Sequence, residues 1–184
     1  MRSIFKKILH SIFSLMSINK KVITFESYAG RNFSCNCKAI YDQIKKRKLD
    51  YDCRIFINKN VILDEKYHND IIYRGTIKWV YYTAISKYWI KNTGAYGGLP
   101  KRKKQIYINT WHSGSILKKQ GYDLKNISLE DRKPSDNVKY WDWYVSGSEE
   151  KAIILNNSTG YQGNTIVIGM PRIDYLFEFQ PEDI

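Results

Sequence analysis

The chain has 184 residues, 43% of them hydrophobic and 15% aromatic, which is enough for one full-sized domain with a real core and a squeeze for two. This composition excludes a disordered or fibrous chain. Thirty Lys and Arg against 18 Asp and Glu give a formal charge of +12, which favours an anionic partner: nucleic acid, anionic lipid or a phosphate-rich substrate.

Residues 1–18 mix apolar positions with Arg2, Lys6, Lys7 and His10, and no uninterrupted apolar stretch reaches the ~20 residues that span a bilayer. Ile4, Ile8, Ile12 and Leu15 fall on one helical face with Phe5, Leu9 and Met16 beside them. Residues 1–20 are therefore expected to form an amphipathic leader helix that lies either on a membrane surface or against its own domain.

From there the pattern alternates. Residues 22–25 read as a buried strand ending at Glu26-Ser27, residues 38–48 as a helix, and residues 53–57 as a second strand. Further strands are expected at 71–73, 88–90, 105–111, 143–145 and 165–168, with helices over 76–86 and 148–156. Strands separated by helices predict an α/β fold, a Rossmann-like parallel sheet with flanking helices, occupying residues 21–177 before a tail at 178–184. Ligands in such sheets bind beyond the carboxyl ends of the strands. Glu26-Ser27, Asn92-Thr93, Trp111-His112 and Ser146-Gly147 are thus candidate rims of one cleft.

The three cysteines, Cys35, Cys37 and Cys53, are an odd number with no paired framework and no second pair of zinc ligands, so they read as ordinary thiols in a reducing compartment. No metal or cofactor is expected. The segment from Trp111 to Gly121 carries the most chemistry. His112 follows an apolar strand and precedes Ser113, Gly114 and Ser115, which let the backbone approach an anion, while Lys118 and Lys119 add positive charge. An imidazole there could accept a proton from a hydroxyl nucleophile, although a lone strand-end His is more often structural.

His112 does not stand alone. Phe25-Glu26-Ser27-Tyr28-Ala29-Gly30-Arg31, followed by Asn36 to Tyr41, resembles the F-E-S-x-x-G and N-P-K-A-I-Y segments of the CDP-glycerol glycerophosphotransferase family. Thr83 to Asn92 is similar to its A-x-A-K-Y-W-V-N-N stretch, and Tyr107 to Gly121 to its Y-I-N-T-W-H-G-x-x-x-K-K-x-G block. Gly169-Met170-Pro171-Arg172-Ile173-Asp174-Tyr175-Leu176 is similar to its G-x-P-R-N-D-x-L segment. Ser113 departs from the family's usual Gly, Cys37 from its Pro and Ile173 from its Asn.

The resemblance implies the N-terminal half of a GT-B arrangement and a role for His112 as the base that activates an acceptor hydroxyl. Ser113, Gly114, Ser115, Lys118 and Lys119 become candidate substrate-binding residues, with the 101–104 basic cluster beside them as a site for the acceptor or for lipid. Glu26 and Arg31 either line the same cleft or serve structure. The implied partners are CDP-glycerol, whose site would lie largely in a second domain, a lipid-linked glycerol-phosphate acceptor, and an anionic membrane surface on the cytoplasmic side. On this reading the 184-residue chain is inactive by itself. The alternative is a basic non-catalytic module for anionic membrane or nucleic acid, using Tyr81, Tyr82, Trp89, Trp141 and Trp143 as stacking platforms. No helix-turn-helix, RRM or zinc signature supports nucleic acid.

Overall fold

Seven parallel strands alternate with helices in a computed structural model that describes residues 3–94, 98–112, 119–125, 127–131, 133 and 138–178. The strands are β1 (Asn19–Glu26), β2 (Asp52–Ile57), β3 (Ile71–Tyr73), β4 (Ser86–Lys91), β5 (Ile106–Asn109), β6 (Trp143–Ser146) and β7 (Asn164–Val167). The helices are α1 (Ser3–Phe13), α2 (Cys35–Lys46), α3 (Ile77–Ile85), α4 (Glu149–Thr159) and the short α5 (Tyr175–Glu178). The spatial order is β3-β2-β1-β4-β5-β6-β7, with every neighbouring pair parallel. The order runs outward from β1 in one direction and then reverses at β4, so the gap between the carboxyl ends of β1 and β4 is the topological switch point.

Side chains alternate across the sheet and build two cores. Ile23, Phe25, Ile55, Ile57 and Ile90 face α2, meeting Cys37, Tyr41 and Ile44. Phe56, Trp89, Tyr107 and Tyr144 point the other way and pack with Trp79 and Val80 of α3 and Ala152 and Leu155 of α4. Local signals set the helix ends: Thr76 caps α3 by accepting from the Trp79 amide at 3.2 Å, and Ser148 caps α4 by accepting from the Lys151 amide at 3.3 Å. Gly160 ends α4 in the left-handed region at φ 70°. Trp89 and Trp141 are buried in this core, so neither is available as a base-stacking platform.

The leader forms α1, which packs on α3 through Leu9 and Phe13, the Phe13 ring meeting Tyr81 edge-on at 5.4 Å. The face turned inward is not the Ile stripe. His10 is buried there, its imidazole pushed below its ordinary value first by desolvation and then by Arg102. Ile4, Ile8, Ile12 and Leu15 face outward, 74% and 89% exposed at the first and last of these. Among the described residues no helix is long and apolar enough to cross a membrane.

Candidate functional site at the switch point

β5 leaves the sheet beside the switch point. Its exit is distorted: Trp111 is a non-glycine residue at φ 49°, a left-handed conformation that costs on the order of 1–3 kcal/mol and persists only where surroundings impose it. The surroundings here are explicit. The Trp111 amide donates to Asn109 Oδ1 at 2.7 Å, and Asn36 Nδ2 donates to the carbonyls of Thr110 at 2.9 Å and Trp111 at 3.4 Å. Thr110 is tied back to β4 by its amide on the Lys91 carbonyl at 2.7 Å. This held turn delivers His112.

The His112 ring is half-buried, in contact with Trp111 at 5.0 Å between centroids and met edge-on by Tyr28 at 5.5 Å. Its Nδ1 lies 2.8 Å from the Asn92 carbonyl oxygen. A carbonyl can only accept, so this contact places the proton of the neutral ring on Nδ1 and leaves Nε2 as the acceptor. Asn92 is itself fully buried, and its Oδ1 receives the Tyr28 amide at 2.7 Å. One asparagine thus aligns both rings.

The β1 exit is a left-handed turn, Tyr28, Ala29 and Gly30 at φ 47°, 56° and 75°. Gly30 is required by space as well as by φ, since a Cβ would sit 2.4 Å from Arg74 Cδ. Burial raises the Tyr28 phenol above its ordinary value, and a hydrogen bond with Cys35 raises it further.

Glu26 does not line the cleft. Its carboxylate is fully buried, 2.7 Å from Lys91 Nζ and 3.1 Å from Arg74 Nε, and Arg74 also donates to the Ala29 carbonyl. Of the two roles open to Glu26, the structure assigns the architectural one: it neutralises two cations under the turn that carries Tyr28. Sequence could not reveal this, because the partner on β4 is 65 positions away and becomes opposite Glu26 only through parallel pairing.

Arg31 is exposed, its Nε on the Tyr28 carbonyl at 3.0 Å, at the edge of the same turn. Lys119 is exposed and leads into a 3₁₀ turn, Gly121–Leu124, that packs on α4. Ser113, Gly114, Ser115 and Lys118 lie outside the described residues. The 101–104 basic cluster precedes β5 and so sits at the amino edge of the sheet, opposite His112. Lys101 is committed there to Asp142 at 2.8 Å, and Arg102 to the carbonyls of Ala84 and Met16, both at 2.9 Å.

Asn36 and Arg172 escaped the sequence reading, which marked Asn92 as a rim of the cleft but gave it no role. Asn36 is fully buried and its Oδ1 accepts the Arg172 amide at 3.2 Å. Arg172 Nη1 in turn donates to the His112 carbonyl at 3.1 Å and lies 3.2 Å from Cys35 Sγ. All three belong to the segments that carried the family resemblance, which is the one signal that could have found them. The four segments meet around His112.

The comparisons with known proteins identify the family. Residues 8–184 match the family model for CDP-Glycerol:Poly(glycerophosphate) glycerophosphotransferase. A teichoic acid poly(glycerol phosphate) polymerase of Bacillus spizizenii is 30% identical over 179 residues, covering 92% of this chain and 45% of that protein. A teichoic acid glycerol-phosphate transferase of Staphylococcus aureus is 29% identical, over 93% of this chain and 47% of its own length. The chain thus spans under half of these relatives. A structure of the wall teichoic acid polymerase TagF superposes with a TM-score of 0.75 at 22% identity, over 97% of this chain and 46% of that one. A TagF variant soaked with CDPG superposes with a TM-score of 0.74. These structures share the fold, and on the family model the chain belongs to the CDP-glycerol:poly(glycerophosphate) glycerophosphotransferases.

Proposed function

We propose that this chain supplies the acceptor-side half of a glycerophosphotransferase, in which His112 takes the proton of an acceptor hydroxyl. The observation that carries the reading is the Nδ1 contact with the Asn92 carbonyl at the switch point, which leaves Nε2 as a proton acceptor where α/β sheets bind their ligands. In the reaction a terminal glycerol hydroxyl of a lipid-linked glycerol-phosphate acceptor attacks the β-phosphate of CDP-glycerol. The new O–P bond forms as the bond to CMP breaks, and the hydroxyl proton passes to Nε2. The chain's share of the work is positioning and charge stabilisation, as in phosphoryl transfer generally. The family and the TagF soak with CDPG support this donor.

On this reading the donor site lies in the part of the relatives that this chain does not span. CDP-glycerol is therefore expected to leave the melting temperature of the 184-residue chain unchanged, because a ligand stabilises only a fold that binds it. A saturable rise in a thermal-shift titration would contradict this division of labour.

The same reading places the protein peripherally on the cytoplasmic face of a membrane. The outward stripe of α1 continues into Leu15 and Met16, which border a cavity of about 420 Å³ walled by Lys20, Lys87, Arg102 and Lys104. Apolar side chains beside clustered cations are the pattern of an interfacial helix on anionic lipid. In a flotation assay the chain is expected to rise with phosphatidylglycerol vesicles at low salt and to remain below with phosphatidylcholine. The paired change Ile8→Asp and Ile12→Asp is expected to weaken the first by about tenfold or more. Retention of a single-stranded RNA on a filter, with no flotation, would favour the non-catalytic basic module instead.

A further inference from the structure

Resting on the acceptor-side reading, we propose that Arg172 is the residue that reads phosphate on the acceptor, binding the phosphodiester next to the glycerol whose hydroxyl faces His112. Arg172 is not a loose surface cation. Pro171 begins the 3₁₀ turn Pro171–Ile173 with its φ fixed, the Arg172 amide is held on Asn36 Oδ1 at 3.2 Å, and Nη1 is held on the His112 carbonyl at 3.1 Å. A guanidinium anchored on the carbonyl of the base moves with that base.

The charge is also unspent. Among the described residues no carboxylate lies within ion-pair distance of Arg172, whereas the other cations drawn inward at the switch point, Lys91 and Arg74, both pair with Glu26. A half-buried guanidinium without a counter-ion has lost part of its hydration and gained no charge in return, a condition relieved by an incoming anion. A second unmet donor belongs to the residue whose carbonyl holds the His112 ring: Asn92 Nδ2 is buried and has no acceptor among the described residues.

The chemistry of a glycerol-phosphate chain end matches this pair of groups. Three carbons and one ester oxygen separate the terminal hydroxyl from the nearest phosphorus, so one repeat unit presents a hydroxyl to an imidazole and a phosphate to a fork of N–H donors alongside it. Arg suits this better than Lys, because its planar donors engage two phosphate oxygens at once. Tyr28 completes the enclosure: its ring meets His112 edge-on, and it lies close enough to Arg172 for that charge to lower its phenol against the larger effect of burial. The selectivity that follows is for an acceptor already carrying a phosphate, over free glycerol.

The 184-residue chain can test this without the donor half. The His112 ring signal in a ¹H–¹³C spectrum, assigned by its loss in His112→Gln, is followed during titration with sn-glycerol 3-phosphate, inorganic phosphate or glycerol. Glycerol 3-phosphate is expected to shift it saturably, inorganic phosphate to shift it with weaker affinity, and glycerol to leave it unmoved. Arg172→Ala is expected to raise the dissociation constant for glycerol 3-phosphate about tenfold or more, and Arg172→Lys to recover part of the loss. Equal affinity in Arg172→Ala, or an equal response to glycerol, would overturn the assignment to Arg172 while leaving the acceptor-side reading in place. If no phosphate compound perturbs His112, the proposal fails with the acceptor site itself. Should the alanine variant not fold, Arg172→Gln and Arg172→Lys give the same comparison.

Discussion

Glu26→Gln is expected to lower the stability of the chain by about 3–5 kcal/mol, the range for removing one partner of a buried ion pair. The carboxylate is 0% exposed and Lys91 1%, so the substitution takes the Glu26 charge away from an ammonium in the interior that has Arg74 nearby. Burial already depresses Lys91 below its ordinary value near 10.5, opposed mainly by Glu26. Without Glu26 that opposition goes. In the variant the folded chain gives up the Lys91 proton at a lower pH than the unfolded chain does. Its stability should therefore rise with pH between the depressed folded value and 10.5, where the unfolded state holds more protons. Urea unfolding at two pH values measures both effects. The double variant Glu26→Gln with Lys91→Met should recover part of the loss, because it removes the stranded charge along with its partner. A loss under about 1 kcal/mol, the scale of an exposed pair, would mean that water reaches the triad.

On the proposed reading, His112→Gln is expected to reduce glycerophosphate transfer by about 10²–10⁴-fold once this chain is joined to a donor-binding half, the usual contribution of a positioned general base. Three features of the site argue for a loss of this size. The Nδ1 contact with Asn92 fixes the tautomer, so the ring does not divide its time between useful and useless forms. The strained Trp111 backbone, fastened by Asn36 and Asn109, holds the ring's approach. The Tyr28 and Trp111 rings flank it and limit its rotation. Gln can occupy the space but has no lone pair of comparable basicity near neutral pH. The effect should fall on kcat, with the Michaelis constant for acceptor changing little, since Arg172 and its neighbours remain.

Much of the fold was legible in the sequence. Every strand expected from short β-branched and aromatic runs is present, with ends shifted by a few residues, because a parallel strand buried on both faces reads as a continuous apolar stretch. The position of His112 just past a strand was legible for the same reason. What could not be read was anything that depends on which strands become neighbours. Glu26 looked like a cleft residue until β4 was placed beside β1 and brought Lys91 opposite it. The 101–104 cluster looked close to His112 in sequence, yet one strand's length puts them at opposite edges of the sheet. Asn36 and Arg172 meet across 136 positions, a contact that only the closed fold creates. The leader is a different case: its apolar stripe was correctly placed on one face, but hydrophobic periodicity does not say whether that face turns inward, and here His10 does so instead.

The most direct measurement joins this chain to the donor-binding remainder of a family member and follows CMP release from CDP-glycerol with a glycerol-phosphate acceptor. The account predicts initial rates at least about a hundredfold lower for His112→Gln than for the unaltered protein, with the circular dichroism spectrum unchanged. A folded His112→Gln protein that keeps more than about a tenth of the rate would contradict it, because general-base catalysis would then have to come from another group.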